Sequence, residues 1–338
     1  MKASQAGLHA AEYWSRREDG RADCRLCPHH CAIPEGKAGL CKVRGVRGGE
    51  LKALGYGLLS SAHIDPVEKK PLYHFFPGAS IFSIGGWGCN FGCTFCQNWP
   101  ISQKFADSDE RYLPADMVAK VRASGCKLTA YTYNEPLVGF EFVRDCCRLI
   151  KQAGFRNVLV TNGYIEEAPA AELLPFVAAL NVDLKSMEDE FYRRQCGGRL
   201  APVLDFCRQA VKAGCHVELT NLVIPTLNDR PDLFERLARW IHDELGRNVP
   251  LHLSAYRPEF KATLPATPPE TLTAASRICR EKLQYVYVGN VWTPEGQDTC
   301  CPECGSVLVS RRGYTARRPG LRDGHCRQCG RAADIVED

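Results

Sequence analysis

From residue 80 onward, short β-branched apolar runs alternate with stretches of helical periodicity. The predicted strands span residues 81–85, 127–131, 156–161, 179–184, 216–222 and 250–254, with a last one near 285–289. The predicted helices span residues 114–124, 137–153, 201–213, 231–245 and 268–283. Because parallel strands need such helical crossovers, the alternation predicts an α/β fold with a parallel sheet. Ligands of such folds bind at the carboxyl ends of the strands.

A glycine-rich loop directly after the first of these strands carries three cysteines in a C-x3-C-x2-C pattern. They are Cys89, Cys93 and Cys96. Thiolates in such a cluster are ligands of iron–sulfur clusters or of zinc. A cubane cluster has four irons, so three cysteines leave one iron free to bind a substrate or cofactor. The alternative is a zinc knuckle that takes its fourth ligand from elsewhere in the chain.

A second group of cysteines precedes the strand–helix repeats, with the spacing C-x2-C-x3-C-x9-C. It consists of Cys24, Cys27, Cys31 and Cys41. Glycines at positions 36 and 39 make the last gap a turn-rich loop that can bring Cys41 back to the others. Four thiolates close together form a filled metal site, which either zinc or a second iron–sulfur cluster would occupy.

A third group follows the repeats and consists of two C-x2-C knuckles, each followed by glycine. Its members are Cys301, Cys304, Cys326 and Cys329. This pattern indicates a zinc ribbon, with Cys300 as a bystander. The ribbon is locally basic through Arg311, Arg312, Arg317, Arg318 and Arg322. These arginines would suit a nucleic acid or an acidic partner, although a solvated face is the preferred interpretation.

Composition limits the class of protein. Nineteen cysteines in 338 residues, most of them in these three groups, indicate metal binding in a reducing compartment rather than disulfide bonds. A net charge of +4 does not by itself indicate nucleic-acid binding. The sequence shows neither a long apolar run nor a signal-peptide core near its start. We therefore expect a soluble, cytoplasmic protein with no membrane partner.

Polar residues follow the predicted strands where ligands would bind. They are Asn134, Glu135, Thr161, Asn162, Asp183, Lys185 and His252. Most of them have a structural alternative: Asn134 and Pro136 suit a capped turn before a helix. Asp183 and Lys185 share one face of their strand and could form only a buried ion pair. His252 could be a core histidine, and Cys196, in a glycine-rich loop, a reactive or an incidental thiol.

Together these motifs resemble the radical SAM enzyme of the AmmeMemoRadiSam system, a family related to pyruvate formate-lyase activating enzymes. The resemblance rests on the Cys-x-Leu-Cys-Pro block, the Cys89 loop, Tyr-Thr-Tyr-Asn-Glu-Pro, Val-Thr-Asn-Gly-Tyr, Asp-Leu-Lys and the ribbon. It implies a partial (β/α)6 TIM-like radical SAM barrel at residues 79–295. An N-terminal Cys-rich metal-binding region, residues 1–78, would precede the barrel, and the zinc ribbon, residues 296–338, would follow it.

The resemblance also implies cofactors and partners. Cys89, Cys93 and Cys96 would hold a [4Fe-4S] cluster whose open iron chelates S-adenosylmethionine, and the seven polar residues would contact that cofactor. Where the family has Gly-Gly-Glu-Pro, this chain has Tyr-Asn-Glu-Pro and so keeps only Glu135 and Pro136. An AMMECR-family protein, a Memo-like protein and an electron donor such as flavodoxin or ferredoxin are the implied partners.

The expected reaction is reductive cleavage of S-adenosylmethionine to a 5′-deoxyadenosyl radical, which abstracts hydrogen from an unidentified substrate. Three alternatives stay open. The chain could be an activase that generates a glycyl radical on a partner protein, an enzyme that modifies RNA, or a non-catalytic iron–sulfur and zinc protein.

Overall fold

The computed structural model describes residues 8–108, 110–291 and 296–337. The N-terminal region forms five short strands: β1 (Trp14–Arg16), β2 (Ala22–Cys24), β3 (Ala32–Ile33), β4 (Arg44–Arg47) and β5 (Glu50–Ala53). The first three form an antiparallel sheet, and β4 pairs with β5 as a hairpin. The second cysteine group begins at the end of β2 and continues through the turns on either side of β3.

An eight-stranded sheet forms the centre of the molecule. Its strands are β6 (Ser61–Pro66), β7 (Ser80–Gly85), β8 (Leu128–Tyr131), β9 (Arg156–Thr161), β10 (Ala179–Asp183), β11 (His216–Val223), β12 (Leu251–Ala255) and β13 (Val286–Gly289). They lie side by side in chain order, and β7 to β13 are parallel. The prediction of seven parallel strands is confirmed. Strand β6, which was not predicted, adds an antiparallel edge, so the N-terminal region extends the sheet.

In the described ranges, eight helices accompany the strands. They are α1 (Trp99–Ser102), α2 (Pro114–Ser124), α3 (Phe140–Gln152), α4 (Glu167–Leu173), α5 (Asp189–Phe191), α6 (Leu200–Lys212), α7 (Pro231–Glu244) and α8 (Pro269–Arg280). All five predicted helices are present. Helix α3 begins later than predicted because residues Pro136–Gly139 form a separate 3-10 turn. None of the helices in the described ranges has the length and apolar run that crossing a bilayer requires.

The C-terminal unit contains five short strands: β14 (Thr299–Cys300), β15 (Val307–Arg312), β16 (Thr315–Arg317), β17 (Leu321–Arg322) and β18 (His325–Cys326). It packs onto the segment before β7, since the backbone of Val336 exchanges hydrogen bonds with His74 and Phe76, at 2.8 and 2.7 Å. The predicted boundary after residue 295 lies outside the described residues.

Candidate functional site

A cavity of about 650 Å³ lies at the carboxyl ends of the parallel strands. The thiols of Cys89, Cys93 and Cys96 line it. All seven polar residues predicted at strand ends also line it: Asn134, Glu135, Thr161, Asn162, Asp183, Lys185 and His252. The fold therefore brings these ten residues, from the cysteine loop and from several strand ends, to one place, because parallel strands end at the same edge of the sheet.

The loop that carries the three cysteines is anchored to its surroundings by backbone contacts. Gly86 N donates to Asn134 Oδ1 over 2.9 Å, and Gly92 N donates to the Cys196 carbonyl over 2.8 Å. Gly88 has a φ of +80°, and any Cβ there would collide with the Cys41 carbonyl oxygen. Glycine at this position therefore lets the loop pack directly against the N-terminal cysteine group.

Burial disfavours ionisation of two of these thiols. It raises the pKa of Cys89 well above its ordinary value and also raises the pKa of Cys96. The pKa of Cys93 is instead lowered, mainly by a hydrogen bond with the Cys196 side chain and also by the Lys185 ammonium. Cys196 is fully buried in a π-helical turn, not in the flexible loop expected from its glycine neighbours. Its contact with Cys93 is tertiary, so no local sequence signal could reveal it.

Sulfur spacing distinguishes the C-terminal cysteine group from the other two. In the C-terminal group, Cys301 Sγ lies 3.6 Å from Cys329 Sγ, and Cys304 Sγ lies 3.7 Å from Cys326 Sγ. Within the described part of the chain, only this group has all its sulfurs within 4.8 Å of one another. Zinc–sulfur bonds of about 2.3 Å imply sulfurs about 3.8 Å apart around one tetrahedral ion. The C-terminal group fits a single ion, whereas the soft, wider-spaced thiols of Cys89, Cys93 and Cys96 fit a cluster of several irons.

Glu135 connects the end of β8 to the end of β9. Its carboxylate accepts hydrogen bonds of 2.7 Å from Thr161 Oγ1 and from Asn162 N, and one of 3.0 Å from Leu137 N. Burial raises the pKa of Glu135 to about 7, although these hydrogen bonds oppose the shift. The residue that caps the following turn is thus Glu135, whereas the sequence suggested Asn134 for that role, and Glu135 lines the cavity as well.

Asp183 and Lys185 form an ion pair with a nitrogen–oxygen distance of 3.2 Å in the cavity wall. The Asp183 side chain is 39% exposed and that of Lys185 only 13%. Burial lowers the pKa of Lys185, but attraction to Asp183 and nearby thiols outweighs it, so the net shift is well upward. The two residues therefore form an ion pair, but it is not fully buried, and the Asp183 carboxylate stays accessible from the cavity.

His252 is held by a buried charge. Its Nε2 lies 2.6 Å from Glu218, a residue that also contacts His216 at 3.0 Å. Burial opposes ionisation of Glu218, yet hydrogen bonds from the two histidines hold its pKa well below the usual range. His252 is thus a hydrogen-bonded buried histidine whose ring also lines the cavity.

Several cavity residues were not among the predicted contacts. Lys70, only 1% exposed, pairs with Asp65 at 2.7 Å and lies 4.4 Å from the centre of the Tyr133 ring. Tyr133 also hydrogen-bonds to Asp65, and Tyr314 of the C-terminal unit lines the same cavity. For Lys70, the available sequence signal was the charged run from residue 65 to 72, which begins at the end of β6 and precedes β7.

Arg311 departs from the expected solvated face. It is 0% exposed and donates to the Tyr73 carbonyl at 2.6 Å and to Thr299 Oγ1 at 2.8 Å. Its guanidinium lies 4.0 Å from the centre of the Tyr73 ring. The interpretation as a solvated residue is therefore wrong for Arg311, which anchors the C-terminal unit. The other four arginines of that group are exposed: Arg312, Arg317, Arg318 and Arg322.

Sequence comparison relates this chain to known proteins. The sequence pattern of the Radical SAM superfamily matches residues 84–241. An uncharacterized protein of Methanocaldococcus jannaschii is 42% identical over 336 residues, which cover 97% of this chain and 100% of that protein. The pyruvate formate-lyase 1-activating enzyme of Escherichia coli K12 is 27% identical over 181 residues, 50% of this chain and 71% of the enzyme.

The fold also occurs among solved structures. A radical SAM methyltransferase from Sphaerobacter thermophilus superposes with a TM-score of 0.51 at 20% identity, over 63% of this chain and 67% of that one.

Proposed function

Because this chain belongs to the radical SAM superfamily as an enzyme homologous to activating enzymes, we propose that it cleaves S-adenosylmethionine to start a hydrogen abstraction. A [4Fe-4S] cluster, when bound, supplies one electron to the sulfonium C–S bond, which gives methionine and a 5′-deoxyadenosyl radical. The observation that carries the proposal is the convergence of Cys89, Cys93 and Cys96 with the polar strand ends on one cavity. We also propose that the parallel strands form a partial (β/α)6 barrel. Seven parallel strands that lie side by side in chain order support this architecture.

The side chains around the cavity would have different roles in binding. Cys89, Cys93 and Cys96 would hold the cluster. Asp183 and Lys185 present a carboxylate and an ammonium, which complement the amino and carboxylate groups of a methionyl moiety. Glu135 and Asn162 position the loops around the cavity. Glu135 fixes the turn after β9 by accepting a hydrogen bond from Asn162 N, and the Asn162 side chain contacts Cys89. The chain thus orients a zwitterion beside the cysteine loop.

For the substrate we propose a small molecule or cofactor handled together with an AMMECR-family and a Memo-like protein. Lys70 and Tyr314 support a small substrate. They belong to segments outside the parallel strands, and their side chains take up part of the space at the strand ends. The second candidate, an activase that makes a glycyl radical on a partner protein, is favoured by the similarity to pyruvate formate-lyase 1-activating enzyme over half of the chain. We also propose zinc as the ion of the C-terminal cysteines, as their sulfur spacing supports.

Anaerobic reconstitution with iron and sulfide tests the cleavage reaction. With S-adenosylmethionine and dithionite, the wild type should release methionine and 5′-deoxyadenosine, while C89A/C93A/C96A should release neither and keep its circular dichroism spectrum. The matched control is C300A, which removes an exposed cysteine outside the three groups. Equal product from the triple variant would overturn the proposal.

The two substrate candidates differ in where deuterium appears. A small-molecule substrate labelled with deuterium should pass its label to 5′-deoxyadenosine, with the AMMECR-family and Memo-like proteins added singly and together. An activase would instead label 5′-deoxyadenosine only from a deuterated partner protein. In a third experiment, deuterated RNA is added alone, and a label in 5′-deoxyadenosine would indicate an enzyme that modifies RNA.

A further inference from the structure

The N-terminal cysteine group forms a site of its own. Cys24, Cys27, Cys31 and Cys41 line one small, partly open cavity, separate from the cavity of the cysteine loop. Cys24 and Cys41 are buried, while Cys27 and Cys31 are partly exposed. The buried apolar side chains of Leu26, Ile33 and Val138 complete its walls. Four thiols in a protected, largely apolar pocket form a complete ligand set for a metal centre.

The spacing of these sulfurs indicates whether the site would hold a zinc ion or an iron–sulfur cluster. In the part of the chain that the structure describes, the C-terminal group has its sulfurs within 4.8 Å of one another, and the N-terminal four contain no such set of three. Four sulfurs around one zinc lie about 3.8 Å apart. Sulfurs that bind a cubane lie farther apart, because each one binds a different iron. The two four-cysteine sites of the same chain therefore have different geometries, and the N-terminal one suits the larger centre.

A buried cation supplies a second, independent observation. Arg44 lines this cavity and is 1% exposed. Its Nη1 pairs with Glu141 at 2.7 and 2.9 Å, but its Nε has no hydrogen-bond partner among the described residues. A buried, unpaired donor is costly unless an acceptor is bound beside it. The sulfurs of an anionic cluster would provide such acceptors.

The site touches the loop that carries Cys89. Asn90 lines the N-terminal cavity, and its backbone carbonyl lies 2.7 Å from His29 Nε2. The side-chain oxygen of the same residue lies 4.0 Å from Cys89 Sγ. On the other side, the Cys41 carbonyl packs against Gly88. The two cysteine sites are therefore in contact through Asn90 and through Gly88.

We propose that Cys24, Cys27, Cys31 and Cys41 hold a second [4Fe-4S] cluster that passes electrons to the cluster at Cys89, Cys93 and Cys96. A low-potential one-electron donor protein, of the ferredoxin or flavodoxin class, gives one electron to the N-terminal cluster and is oxidised. That cluster then passes the same electron to the cluster of the Cys89 loop and returns to its oxidised form. The partial exposure of Cys27 and Cys31 gives the donor access. The relay rests on the proposed function, whereas the identity of the centre does not.

Metal analysis tests the identity of the centre. After anaerobic reconstitution, C89A/C93A/C96A should keep about four irons and four sulfides per chain. Its reduced form should give an EPR signal that S-adenosylmethionine does not change. Adding C24A and C27A, or the single change C27S, should remove that iron, while C300A should not. A triple variant without iron, or one that holds about two zincs per chain, would overturn the proposal.

The relay needs a separate readout. Cleavage of S-adenosylmethionine is measured with reduced flavodoxin and with dithionite, and the rate with flavodoxin is divided by the rate with dithionite. C24A/C27A should lower this ratio by roughly tenfold or more relative to the wild type, because dithionite is small enough to reduce the remaining cluster directly. An unchanged ratio would overturn the relay. If the wild type cleaves no S-adenosylmethionine while C89A/C93A/C96A still holds iron, the proposed function fails and the second cluster stands.

Discussion

Asn162 Nδ2 lies 3.6 Å from Cys89 Sγ, so the end of the third parallel strand contacts the first cysteine of the glycine-rich loop. The same amide donates to Asn90 Oδ1 at 2.9 Å, and the backbone of Asn162 donates to the Glu135 carboxylate. A buried network of four residues therefore fixes the position of one cluster ligand. Donors directed at cluster sulfurs also raise the reduction potential, because they stabilise the more negative, reduced state.

Replacing Asn162 by Ala should lower the reduction potential of the cluster at the Cys89 loop, since it removes that donor. The measurement is a redox titration followed by EPR in the presence of S-adenosylmethionine. Asn181→Ala is the control: Asn181 is also buried, but its amide donates to the Pro71 carbonyl at 2.8 Å instead. A potential that is equal in both variants would show that the amide does not act on the cluster.

Arg311 should contribute strongly to stability. Arg311→Ala leaves the Glu68 carboxylate, 3.9 Å away and equally buried, without a compensating charge. We expect a loss of about 3 kcal/mol in the free energy of unfolding, measured by urea denaturation. The neighbouring Arg312 has a side chain that is 82% exposed, so Arg312→Ala should change the same quantity by less than about 0.5 kcal/mol. Similar losses in both variants would contradict the anchoring role.

The C-terminal cysteines should stabilise the fold through their ion. C301A/C304A is expected to lose zinc and to unfold on the order of 5 °C below the wild type, because the metal contributes folding free energy directly. Differential scanning calorimetry and zinc analysis measure the two effects. C300A, one residue away but outside the group, should retain both the metal and the unfolding temperature. A double variant with normal zinc content would show that other ligands hold the ion.

His74 should make stability depend on pH. Its ring is fully buried between the Asp334 carbonyl and the Tyr287 hydroxyl, both at 2.6 Å, and burial lowers the pKa of His74 to about 4. The unfolded chain binds this proton near its ordinary pKa of about 6.5. Stability from the neutral ring is therefore present above that pH and is lost as the pH falls towards 4, by roughly 3 kcal/mol in all.

The test compares urea denaturation at pH 7.5 and pH 5. The stability of His74→Gln should vary less between these pH values than that of the wild type, because glutamine binds no proton. His63→Gln, at an exposed position, should keep the wild-type difference. If His74→Gln keeps it as well, other groups cause the pH dependence.

The strands illustrate what the sequence could predict. Strands β7 to β13 begin and end within one residue of their predicted bounds, because each is a short apolar run bounded by turn residues. Strand β6 gave no such signal: its middle residues, Ala62, His63 and Ile64, are exposed. An edge strand has only one neighbour, so pairing with β7, rather than an apolar pattern of its own, defines it.

The candidate site follows the same division. Cys89, Cys93, Cys96 and the polar strand ends could be predicted, since the C-x3-C-x2-C spacing is local and parallel strands bring their carboxyl ends together. The burial of Arg311, the approach of Cys196 to Cys93, and the entry of Tyr314 into the cavity could not.

Local periodicity and ligand spacing thus determined the α/β class, the order of the elements and the three cysteine groups, because neighbours in sequence carry these signals. The tertiary structure alone decided how far apart the sulfurs of each group lie and which charged side chains are buried. Both depend on contacts between residues far apart in the chain, as between Arg311 and Tyr73 or Cys41 and Gly88. Such contacts form only when the packed core fixes the loops against one another.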